Sequence, residues 1–444
     1  MARTMHETGQ AVGAFDIAAI LVVAAAVLGY LNHHFIRLPH VIGLTVMGAL
    51  ASLALMVAHA LFPLFTLDEW VARLLEQMNF TETLLNGMLS FLLFAGALHV
   101  DLDRLRRDWV PVLLLSTVGV LISTALVGGA MWLLGNLLAL PIAPIWYFVF
   151  GALISPTDPV SVLGVLKEEN VPKQLQSAVA GESLFNDGVG IVVFTILLGA
   201  AVTGAEFSLA EGARLFAFEA GGGVVLGLVI GWLGYRGLKS MDDYSLEVLI
   251  TLAVVMGGYA LASYVHISGP LAMAVAGLII GNYGFARAMS DTTRDYVNKF
   301  WELVDELLNS VLFLLIGLEM IALTPGRGHL IVGLLAIPIA LAARGISVGG
   351  MVNTVPGVKL DAPGAIRVLW WGGLRGGISI ALALALPEGP ARSLLLAATF
   401  AVVLFSVLVQ RATLGKMIER LQARRMPSVE PEVPPERLGV ENDY

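Results

Sequence analysis

Five polar side chains stand where an apolar chain should carry none. Thr157 and Asp158 lie in "SPTDPV" (155–160), and Ser183, Asn186 and Asp187 lie in "GESLFND" (181–187), both inside long apolar runs. Ser183 and Asp187 are four residues apart, as are Glu182 and Asn186, so each pair shares one face of a helix. Ser183, Asn186 and Asp187 can therefore converge as oxygen ligands for one small ion. Pro156 and Pro159 remove backbone donors and clash with the preceding turn, which argues against a continuous helix between them. Unwinding there frees carbonyl oxygens around Thr157, and with Asp158 these suit a hard monovalent cation that must shed water. In lipid, irregular backbone is tolerated only where it is buried in protein or lines a cavity, so the break makes the site. Burial disfavours the charged form of a carboxylate, and a bound cation favours it. Asp187 is thus expected to hold either a proton or a cation, and never both.

Three further ionisable groups fall within apolar runs: Glu182, Arg344 in "LAARGISV" and Arg375 in "GGLRGG". Each costs about 2.5–3.5 kcal/mol at mid-bilayer on insertion scales, so each needs a partner or a cavity. Glu182 is rotated away from Asp187, and Arg344 is the best intramembrane candidate to pair with it. Such a pair would be structural, holding helices together without touching the ion. Arg375 would offset carboxylates and helix ends where the chain breaks a second time.

The elements that must position these residues are membrane helices. Hydrophobic residues make up 57% of the 444 and charged residues only 14%, against roughly 25% charged in a soluble domain. About thirteen runs are long enough to span a bilayer: 15–31, 36–62, 84–100, 110–134, 145–166, 175–203, 213–235, 246–264, 267–282, 307–323, 330–354, 364–386 and 393–412. Basic residues gather on alternate connections, among them Arg104, Arg106, Arg107, Lys167, Lys173, Arg236, Lys239, Arg287, Arg294 and Lys299. The positive-inside rule then puts the N-terminus outside and the C-terminus in the cytoplasm. Residues 1–14 read as an extracytoplasmic segment without the pattern of a cleaved secretory signal. Residues 413–444 read as a short, partly disordered cytoplasmic tail, and a prokaryotic inner membrane is the expected location. There is no cysteine, the net charge is −8, and no basic run suggests nucleic acid.

The second break, at Gly373 and Gly376 in "GGLRGG", comes seven runs after the first. Paired interruptions at matching positions of two halves point to a transporter built from inverted repeats. The expected fold is all-α and polytopic: two inverted repeats, about 15–203 and 246–412, whose two broken helices cross, with run 213–235 as connector.

"SPTDPVSV", "GESLFNDGVGIVVF", "SGPLAMAVAGLIIGN", "FLLIGLEM" and "WGGLRGGISIALAL" together resemble the monovalent cation:proton antiporter family, on its sodium/proton exchanger branch. The resemblance implies that Asp187 is the essential aspartate of an Asn-Asp pair with Asn186, and that Ser183 is a ligand serine. It implies that Thr157 and Asp158 form the Thr-Asp of the unwound helix, and that Glu182 pairs with Arg344. It also implies thirteen helices, a homodimer, and a core (about 110–203 and 330–412) moving against a dimerisation domain. One departure stands out: "LLFAGALHV" carries Ala95 where relatives have an acid in the third helix, so the ion site lacks an oxygen or replaces it with water.

The expected activity is exchange of sodium, or another alkali cation, for protons by alternating access, with no cofactor and no enzymatic step. Asn186 stands where an electrogenic relative would have a second aspartate, so exchange is expected to be one-for-one and electroneutral. A coupled solute symporter of the same fold would need a larger cavity and more polar residues. An intramembrane aspartyl protease would need a Gly-x-Gly-Asp signature, which is absent, and Ser183 lacks the glycine that follows a nucleophilic serine in Gly-x-Ser-x-Gly.

Overall fold

The structure is a computed structural model, and it describes residues 14–38, 40–61, 88–107, 109–169, 171–204, 208–318, 327–355 and 364–423. The expected N-terminal segment, the end of the tail, and Glu319 in "FLLIGLEM" lie outside the described residues. In chain order the helices are α1 (Ala14–Leu31), α2 (His40–Leu61), α3 (Leu89–Leu98), α4 (Leu102–Arg107), α5 (Trp109–Ser116), α6 (Val118–Leu137), α7 (Pro144–Ile154), α8 (Pro159–Glu168) and α9 (Lys173–Thr203). They continue as α10 (Leu209–Leu238), α11 (Tyr244–Tyr264), α12 (Gly269–Ile279), α13 (Asp291–Leu318), α14 (Arg327–Thr354), α15 (Ala365–Trp371), α16 (Gly377–Leu384), α17 (Pro390–Phe405) and α18 (Arg411–Ala423). Among the described residues, 8 helices are long and apolar enough to cross a membrane, and three shorter apolar helices accompany them. This is a multi-pass membrane protein.

Lipid tails are as apolar as leucine, so close packing, not hydrophobic exclusion, must hold such helices together. Small residues supply it. Along α10, a Cβ added to Gly223 would meet Ser268 O, just before α12, at 2.6 Å, and one added to Gly227 or Gly231 would meet Ala272 O at 2.4 Å or Ala276 Cα at 2.9 Å on α12. These four-residue steps keep one stripe of α10 against α12 at backbone contact. α12 in turn lies against α3, where a Cβ on Gly277 would come within 2.6 Å of Phe94 O.

Two boundaries differ from the sequence reading for one physical reason. Hydropathy places the tenth run at 307–323, whereas α13 begins at Asp291, because its first four turns are amphipathic and their polar face hides them. The tail was expected from 413, whereas α18 runs to Ala423 with Leu414 and Ile418 buried against Leu166, Val171 and Val368. An amphipathic helix that lies on protein needs only one apolar stripe.

Candidate functional site

Both anticipated interruptions are present, and they cross. α7 ends at Ile154 and α8 begins at Pro159; α15 ends at Trp371 and α16 begins at Gly377. Proline at the start of α8 needs no donor in that first turn. Main chain joins main chain across the gap: Asp158 N–H donates to Leu374 O at 2.8 Å. A Cβ on Gly376 would stand 2.8 Å from Asp158 Cβ and 2.9 Å from its Oδ2. The Asp158 carboxylate thus rests against the N-terminal ends of both α8 and α16, where helix dipoles favour negative charge.

The other two helix ends receive the two arginines. Arg375 Nη1 donates to Ser155 O at 2.6 Å and to Pro156 O at 2.8 Å, the first carbonyls of the first gap. Its backbone N–H donates to Ser406 Oγ at 2.7 Å. Arg344 reaches Leu369 O near the end of α15, from Nε at 3.4 Å and Nη2 at 3.3 Å. It also lies 2.5 Å from Glu182 Oε1, and both side chains are nearly sealed from solvent. Each C-terminal half-helix end therefore meets a guanidinium, as the dipole requires.

Under the first gap, Thr157 ties α9 to the break. Asn186 Nδ2 donates to Thr157 Oγ1 at 2.7 Å, Thr157 N–H donates to Asn186 Oδ1 at 3.2 Å, and the hydroxyls of Thr157 and Ser183 are 3.0 Å apart. Asn186 thus bonds to Thr157 through both of its polar atoms. Asp187 behaves otherwise. It is 1% exposed, its Oδ1 has no hydrogen-bond partner, and it faces a cavity of about 50 Å³ shared with Thr157 and Asp158. That volume takes a few waters or one partly hydrated ion. Among the described residues no cluster of three or more metal-ligating side chains occurs.

The third helix also differs in detail. Ala95 is buried among Phe94, Leu98, Ala272 and Ala276, away from the cavity. It is Gly96 that lines the cavity, and a Cβ there would meet nothing within 4 Å. No acidic oxygen of α3 therefore reaches the ion. Facing this bare wall from α13 is Asn309, which lines the same cavity, with Asp305 one turn earlier. Neither was anticipated. The signal lay in "VDELLNSVLF", where Asp305 and Asn309 stand at i and i+4 just before an apolar run.

Residues 22–420 match the sodium/hydrogen exchanger transmembrane family. The chain belongs to that family. Among relatives of this exchanger, the Na(+)/H(+) antiporter NhaP of Pseudomonas aeruginosa is 44% identical over 413 residues, which cover 92% of this chain and 97% of that protein. The Na(+)/H(+) antiporter NhaG of Bacillus atrophaeus is 38% identical over 397 residues, covering 87% and 71%. The solved sodium proton antiporter MjNhaP1 from Methanocaldococcus jannaschii at pH 8 superposes with a TM-score of 0.72 at 21% identity, covering 91% of this chain and 97% of that one. The exchanger thus has the antiporter fold, two inverted repeats whose broken helices cross.

The tightest point of the crossing gives a first prediction. In Gly376→Ala the new methyl group overlaps Asp158 and must push it or its half-helix aside. Displacements of under an ångström at a reacting group can cost up to about a hundredfold, so the exchange rate should fall by roughly tenfold or more. The protein should still elute as one peak on size exclusion. A parent-like rate would show that the Asp158 position is slack.

Proposed function

We propose that this exchanger moves sodium, or another alkali cation, against protons by alternating access, with the two competing at Asp187. The observation that carries this reading is a buried carboxylate, Asp187, that lines a cavity scaled to a small ion and has an unpartnered oxygen, Oδ1. Asp158 and Thr157 share the cavity and serve as further oxygen ligands. Ser183 and Asn186 hold Thr157 in place, Glu182 and Arg344 act as a structural pair, and Arg375 neutralises the crossing.

A charge count supports one-for-one exchange. Around the cavity Asp158, Asp187, Glu182 and Asp305 contribute four negative charges, and Arg344, Arg375 and Arg411, which is close enough to feel Asp158, three positive ones. One proton or one monovalent cation cancels the remaining charge, so either loaded form is neutral, and the empty form would carry an uncompensated buried charge. A solute symporter fits less well, since pockets for organic ligands run to about 300–1,000 Å³.

In this reading the helices within about 110–203 and 330–412 form a core that rocks against the rest, in a homodimer. The N-terminus faces outward and the C-terminus the cytoplasm of a prokaryotic cell. The test is the purified protein in proteoliposomes, with an imposed sodium gradient and a pH-sensitive dye. Sodium salts alone should collapse a proton gradient, with no dependence on an added permeant ion and no current on a supported membrane. A current that follows sodium concentration would overturn the one-for-one ratio, and a need for a co-solute would overturn antiport.

A further inference from the structure

We infer that Asp305 and Asn309 on α13 form a second cation station, which collects the alkali ion before it reaches Asp158 and Asp187. The inference rests on the exchange reading above. Asn309 is 9% exposed and lines the cavity that holds Asp158 and Asp187, yet its Nδ2 has no hydrogen-bond partner. Asp305 lies one turn earlier on the same face, and its buried Oδ1 is also unpartnered. The Asn309 side chain lies beside the Asp305 carboxylate, near enough to interact with it, and that carboxylate is close enough to feel the charge of Asp158, yet Asp305 Oδ1 is left without a donor. Among the described residues no ammonium or guanidinium pairs with Asp305.

A buried carboxylate oxygen and a buried amide nitrogen, neither fully satisfied and with no counter-charge paired to them, are costly unless something visits them. A carboxylate and an amide suit a dehydrating alkali cation. A half-turn of the Asn309 amide replaces Nδ2 with Oδ1 and gives that ion a second oxygen. The location fits the gap left by α3, whose cavity wall is Leu89, Leu92, Leu93 and Gly96 and offers no charged oxygen. A negative charge beside the cavity raises the local cation concentration and speeds capture, but it takes no part in the proton competition at Asp187. Asp305 is therefore a specificity and capture residue, acting on how much cation is needed and not on how fast the loaded core moves.

The experiment is a sodium titration of exchange in proteoliposomes at fixed pH and low ionic strength, using the full chain. Asp305→Asn should raise the KM for sodium by about tenfold, as expected for loss of one steering charge, with the maximal rate within about twofold of the parent. Asp305→Glu should restore a parent-like KM. Asn309→Ala should raise KM in the same direction, and the double variant should raise it by less than the product of the two single effects, because both belong to one station. Asp305→Ser takes the place of Asp305→Asn if that variant does not elute as a single species. Parent-like KM in Asp305→Asn, or a lower maximal rate at unchanged KM, overturns the station while the exchange reading survives. A folded parent that shows no alkali-dependent proton movement overturns both.

Discussion

Asp187→Asn is expected to abolish exchange, by at least about a hundredfold, while leaving the protein as stable as the parent or more so. The amide copies the shape of the carboxylate but neither takes up a proton nor compensates a dehydrated cation, so the competition that couples the two ions disappears. The same change replaces a buried ionisable group by a neutral one, and burying an unpaired charge costs far more than burying an amide. Asp187 is 1% exposed and its Oδ1 unpartnered, so little native bonding is lost. Activity and stability should therefore move in opposite directions, as strained sites commonly allow. Two measurements check it: sodium-driven proton flux, and thermal unfolding in detergent with and without sodium chloride. The parent should be stabilised by sodium relative to choline through binding to the folded state, and Asp187→Asn should lose that increment. Flux equal to the parent's would remove Asp187 from the centre of the mechanism.

The second large effect is on folding. Glu182→Gln and Arg344→Gln each break a buried ion pair, and breaking such a pair from one side costs about 3–5 kcal/mol. The two need not cost the same. Without Glu182, the Arg344 guanidinium remains close enough to Arg375 for the two positive charges to repel, with the Leu369 carbonyl as its hydrogen-bond acceptor among the described residues. Without Arg344, Glu182 still feels Arg375. Glu182→Gln should thus be the more damaging single change, and the double variant should recover a large part of the loss. Unfolding temperatures of all four proteins in one detergent complete the cycle. Additive losses would mean that the pair contributes nothing beyond its separate parts.

What could be read from the sequence was set by local chemistry. "SPTDPV" breaks because two prolines deny it a helix, and "GESLFND" keeps Ser183 and Asp187 on one face because spacing alone decides that. The pairing of Glu182 with Arg344 followed from the cost of two charges in lipid. What escaped depends on rotation and partners. The spacing of Asn186 says nothing of its bonds to Thr157, which depend on the approach of α9 to the break. Ala95 and Gly96 are neighbours in sequence, yet a helix turns about 100° per residue, and it is Gly96 that sees the cavity. Asp305 and Asn309 were invisible because the polar stripe of α13 reads as a solvated connection until its other face is buried.

The close approach of α10 to α12 has a mechanical corollary. Where main chain lies on main chain, with no methyl group of clearance at Gly223, Gly227 or Gly231, neither helix can slide without collision, and with α3 they behave as one plank. The boundary between α13 and α16 is of another kind. There a side chain, Leu312, and not main chain, fills the space above Gly377. Leu312 and Gly377 both line the ion cavity, so in the rocking proposed above this boundary is the plane along which one wall can leave the cargo's seat.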